Sequence, residues 1–108
     1  MNEPIHLTSG GAEKLLASTT LPILIDFYAD WCGPCRMLAP VINELAAESD
    51  GSYLVCKVNV DAEPELAAKY GVMSIPKLVV VRNGEVVSQA VGARPKAAVL
   101  AMLTEAQA

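Results

Sequence analysis

The sequence predicts an α/β domain, with a mixed central sheet and helices packed on both of its faces. Three observations carry this. Short runs rich in branched and aromatic residues, such as Ile23 to Tyr28, alternate with longer stretches whose apolar residues recur at helical spacing. Asn83-Gly84 stands between two strand-like runs, the strongest short hairpin signal. The 108 residues suit one domain, residues 1–108, burying roughly two thirds of its unfolded surface.

In chain order, Glu3 to Leu7 reads as a strand. Thr8 or Ser9 caps a first helix carrying Leu15 and Leu16, with Gly10 and Gly11 weakening its start. Ser18 to Pro22 is a loop, and Ile23 to Tyr28 a buried strand. Met37, Leu38, Val41, Ile42, Leu45 and Ala46 form the stripe of a long helix. Pro40 removes one of its hydrogen bonds and should bend it, and it ends near Ser49-Asp50-Gly51. Tyr53 to Val60 is another strand. Asp61 to Tyr70 holds a short helix, with Pro64 near its start and Gly71 as its C-cap. Leu78 to Val81 and Glu85 to Val91 are the hairpin strands. The last helix starts at Pro95, with Val99, Met102, Leu103 and Ala106 on one face. The early strands pair in parallel through helical crossovers and the hairpin is antiparallel, giving about five strands and about four helices.

Composition bounds the function. The chain is 53% hydrophobic, but no apolar run nears the roughly 18 residues of a membrane span, so these residues serve a core. A net charge of −4 argues against nucleic acid and anionic membranes. Met1 to Leu7 lacks the basic and apolar segments of a signal peptide. Three cysteines make an odd count, unlike a secreted disulfide scaffold, and point to a reducing, cytoplasmic compartment. No Gly-rich nucleotide loop or metal cluster is visible, so neither cofactor nor metal is expected.

The chemistry centres on Trp31-Cys32-Gly33-Pro34-Cys35. Two thiols at this spacing close a small disulfide, hold half of a zinc site, or sit inert in a core. Here they follow a strand and open a helix. Unpaired N–H groups and the positive end of the helix dipole stabilise an anion at Cys32, lowering its pKa and activating it at neutral pH. Gly33 permits the tight turn, and Pro34 suits the first helical turn. Cys35, one turn further in, is placed to resolve a mixed disulfide formed by Cys32.

WCGPC between a hydrophobic strand and a helix resembles the active site of the thioredoxin family. The five-residue match is far more specific than a bare CxxC, and the likeness in element order, spacing and length covers essentially the whole chain. It implies the thioredoxin fold and a protein dithiol–disulfide oxidoreductase that reduces disulfides in target proteins. The Cys32 thiolate attacks the target, Cys35 resolves the mixed disulfide, and the resulting Cys32–Cys35 disulfide is re-reduced by a thioredoxin reductase, either flavin- and NADPH-dependent or ferredoxin-linked. The intervening Gly33-Pro34 resembles the reducing members and sets the redox poise. A thiol oxidase or isomerase is the second reading. A redox-dependent binding subunit without catalysis is the third. A monomer is the default.

Asp26 interrupts the most apolar strand. It is either a strand-end carboxylate reaching water or a buried general acid/base with a raised pKa. The family likeness favours the second, with Asp26 exchanging a proton with Cys35. Lys57 interrupts the next strand, as an edge residue snorkelling to water or, by the likeness, as a tuner of Asp26. Ile75-Pro76 precedes the hairpin, where base rates favour trans. The family likeness makes Pro76 a cis-proline against the dithiol, and Trp31, Ile75, Pro76, Gly92 and Ala93 a flat apolar docking patch. Cys56 reads as an inert hydrophobe, and His6 is remote from the dithiol. Tyr28 and Arg36 stand where many members have Trp and Lys. Lys77 replaces a usual Thr. It either adds positive charge near the patch or points away from it.

Overall fold

The computed structural model describes residues 3–107; Met1, Asn2 and Ala108 of the expected 1–108 domain lie outside the described residues. Nine elements follow one another: β1 (Ile5–His6), α1 (Ser9–Ala17), β2 (Ile23–Tyr28), α2 (Gly33–Glu48), β3 (Leu54–Asn59), α3 (Pro64–Lys69), β4 (Lys77–Arg82), β5 (Glu85–Val91) and α4 (Lys96–Gln107). The five strands form one sheet in the order β1-β3-β2-β4-β5. β1, β3 and β2 run parallel, while β4 is antiparallel to both β2 and β5.

Alternation along the strands sorts the core into two layers. Leu24, Val55, Leu78 and Val80 face α2 and α4, packing on Leu38, Ile42, Leu45, Val99 and Leu103. Ile23, Ile25, Phe27, Cys56 and Val79 face the other way, with Ala12 of α1 and Leu66 of α3. Every residue of β2 but Tyr28 is buried, as a central strand covered on both faces requires.

The predicted boundaries shift in a few places. The Glu3 to Leu7 strand contracts to Ile5–His6, which pair in register with Cys56 and Lys57, and the Leu7 N–H adds one more bond to the Lys57 carbonyl. Pro95 stands outside α4 and supplies the carbonyl that accepts from the Ala98 and Val99 N–H groups. Thr8, not Ser9, caps α1, its Oγ1 accepting from the Gly11 N–H at 3.2 Å. Pro40 lies inside α2, which continues through it. At the end of α3, the Val72 N–H bonds the Ala67 carbonyl and the Gly71 N–H bonds that of Ala68, the paired bonds of a glycine C-cap.

Candidate active site

β2 ends at Tyr28, and α2 begins five residues later. Cys32 is the N-cap of α2, in extended conformation, and its Sγ accepts from the Cys35 N–H at 3.2 Å. The Arg36 N–H closes the first turn on the Cys32 carbonyl. Pro34 occupies the first turn, where its missing N–H leaves no bond unmade. Cys32 and Cys35 are joined as a disulfide, with Cα atoms 5.2 Å apart. Both are buried and pack with Ala29, Tyr28, Val60 and Ile75. Of the arrangements open to two thiols at this spacing, the structure holds the closed small disulfide.

A loop leans on this disulfide. Ile75-Pro76 is cis, and the Ile75 carbonyl oxygen lies 3.9 Å from the Cys32 Sγ. The Pro76 carbonyl accepts from the Gly92 N–H at 2.8 Å, tying the loop to the end of β5. Gly92 has φ +99, a conformation that a side chain would strain. Trp31 is 68% exposed, and its indole N–H donates to Asp61 Oδ2 at 2.8 Å. Four of the five patch residues reach the surface to some degree. Pro76 is the exception: it is buried beneath the loop and offers no contact area of its own. Met73, 95% exposed on the same loop, adds an apolar side chain that the sequence reading missed.

Asp26 is 1% exposed, and neither carboxylate oxygen has a hydrogen-bond partner among the described residues. Burial pushes its pKa from the ordinary 3.8 up to about 6, against a smaller lowering by Lys57. The strand-end reading of Asp26 is therefore wrong. Lys57 sits opposite it in register on β3, half-buried. Its ammonium does not reach the carboxylate. It lies over the Tyr28 ring, 4.4 Å from the centroid.

Lys77 answers the question left open at its position. Its Nζ donates to the Tyr70 carbonyl at 3.0 Å, at the C-terminal end of α3, which favours a cation. That bond directs the side chain to the helix end, the arrangement in which Lys77 points away from the patch. Cys56 is fully buried, and its thiol pKa is pushed up to about 12 by burial, so it is inert. Asp61 was missed in the sequence. The available signal was Asn59, whose side-chain oxygen accepts from the Asp61 and Ala62 N–H groups and turns the chain there.

The thioredoxin family model matches residues 4–105. The chain belongs to the thioredoxin family. It is 56% identical over 95 residues to a thioredoxin of Streptomyces clavuligerus, covering 88% of each chain. It is 46% identical over 96 residues to the Haemophilus influenzae thioredoxin, covering 89% of this chain and 90% of the relative. Among solved structures it is similar to a thioredoxin variant from Halobacterium salinarum, with a TM-score of 0.88 and 36% identity over 99% of this chain and 93% of that one. The sheet order and flanking helices are those of the thioredoxin fold, and the chain is a protein-disulfide oxidoreductase acting on disulfide-bonded targets.

Proposed function

We propose that Cys32 is the nucleophile and Cys35 the resolving thiol of a protein-disulfide reductase. The observation that carries this is the position of the pair: Cys32 caps α2, its sulfur facing an N–H donor, while Cys35 lies within the helix. A thiolate at Cys32 keeps that donor and the dipole's positive end. It attacks one sulfur of a target disulfide and expels the other as a thiolate. Cys35 gives its proton to Asp26, attacks the Cys32 sulfur and releases the target's remaining thiolate. The target gains two electrons, and the chain is left as its Cys32–Cys35 disulfide.

Asp26 suits the acceptor role because its pKa of about 6 leaves it ionised yet basic at neutral pH. Lys57 tunes it by charge. Gly33 and Pro34 shape the turn that sets the redox poise. The cis Ile75-Pro76 loop, Gly92, Ala93 and Trp31 form the docking face, which offers the Ile75 backbone to an extended target segment. The protein works as a cytoplasmic monomer recycled by a thioredoxin reductase. Support for the reducing compartment is the odd, buried Cys56.

Incubating Cys35→Ser with a disulfide-bonded target should accumulate a covalent Cys32–target adduct. Cys32→Ser should form none and lose exchange altogether. Full turnover by Cys35→Ser would remove the resolving role.

A further inference from the structure

Lys57 has two places to put its charge. On one side is the Asp26 carboxylate, directly opposite in register and without a hydrogen bond. On the other is Tyr28, two strand positions beyond Asp26 and on the same face of β2. The ammonium is on the Tyr28 ring. Burial, then Asp30 and Asp26, raise the pKa of the phenol, so a neutral ring faces the cation. Tyr28 also packs against the disulfide. The remaining groups near Lys57 line an open cleft of about 410 Å3: His6 of β1, Glu3 and Pro4 ahead of it, and Asn43 of α2. Lys57 itself lines this cleft.

We propose that Tyr28 is a positioning residue that holds the Lys57 ammonium off Asp26, keeping the carboxylate unpaired and basic enough to take the Cys35 proton. The catalytic consequence rests on the reading of Asp26 as that proton's acceptor; the positioning does not. Releasing Lys57 lets it approach Asp26, and an opposite charge at close range favours the ionised carboxylate. Held on the ring, it lowers the carboxyl's proton affinity by less than burial raises it.

The test is the titration of the Asp26 carboxyl carbon by NMR in the oxidised protein, where Cys32 and Cys35 do not titrate. Tyr28→Leu removes the ring, and the midpoint should fall by about one pH unit. Tyr28→Phe keeps the ring face and should leave the midpoint in place. Lys57→Met carries no charge, and adding Tyr28→Leu to it should shift nothing further. An unchanged midpoint in Tyr28→Leu overturns the proposal. So does an equal fall in the Lys57→Met background, which would assign the effect to water reaching Asp26. Should Tyr28→Leu not fold, the unaltered protein still decides. Its Lys57 ε-methylene protons should be shifted upfield by the Tyr28 ring current, and ordinary shifts overturn the contact. The pH profile of mixed-disulfide resolution separates the two readings. If the Asp26 midpoint moves and that profile does not follow, Asp26 is not the acceptor, while Tyr28 still positions Lys57.

Discussion

Asp26 lies between Ile25 and Phe27, both fully buried, and no donor among the described residues meets its oxygens. Such a carboxylate opposes folding when ionised. Its folded pKa of about 6 stands above the ordinary 3.8, so the folded chain holds the proton more tightly than the unfolded one. The stability this brings is complete below about pH 4 and is lost as pH rises through 6. At pH 8 the loss is about 3 kcal/mol. Asp26→Asn, neutral at every pH, should therefore stabilise the oxidised protein by up to about 3 kcal/mol at pH 8 and by little at pH 4. Urea unfolding at the two values checks it, and an equal gain at both would refute the linkage. The sequence already showed Asp26 as an interruption of an apolar strand. It did not show the missing partner, because Lys57 is opposite in register yet turned to Tyr28. Lys77 makes the same point: its partner, the Tyr70 carbonyl, is set by tertiary packing and leaves no local pattern.

Among the elements, the hairpin was read most directly. Asn83 and Gly84 both have positive φ, at 54° and 79°, and Arg82 pairs with Glu85 across a two-residue turn. This is the conformation that an Asn-Gly pair favours, since its twist matches that of the strands. No atom lies within 4 Å of a Cβ built on Gly84. Gly84→Ala should then lose stability through backbone conformation alone, by about 1 kcal/mol. The urea midpoint should fall with an unchanged slope, and exchange with targets should keep its rate, as the turn closes the β4–β5 hairpin away from the dithiol. No loss of stability would mean that the turn relaxes freely. The helices were legible from their stripes and caps, and Pro64 and Gly71 bracket α3 as expected. Strand order was not read at all. That β2 lies between β3 and β4 depends on which faces the crossovers bury, a property of the packed sheet and not of any one strand.

At the scale of the molecule, folding and redox chemistry are linked. The difference in folding free energy between oxidised and reduced protein equals the difference in disulfide stability between folded and unfolded chain. Two terms favour the oxidised fold. Closing the short Cys32–Cys35 ring removes about 2 kcal/mol of chain entropy from the unfolded state. The apolar wall of Ala29, Tyr28, Val60 and Ile75 also accepts a neutral disulfide more readily than a thiolate. One term opposes them: the α2 N-terminus stabilises a Cys32 thiolate by roughly 0.3–2 kcal/mol. The balance leaves the oxidised protein more stable and its disulfide harder to reduce than in the unfolded chain, by about 30 mV per 1.4 kcal/mol. Urea unfolding with and without a strong dithiol reductant should give the higher midpoint to the oxidised form. Equilibration with a glutathione buffer should show the folded protein as the stronger reductant. A reduced form more stable than the oxidised one would reverse the sign, make the folded disulfide an oxidant, and turn the reductase reading into that of a thiol oxidase.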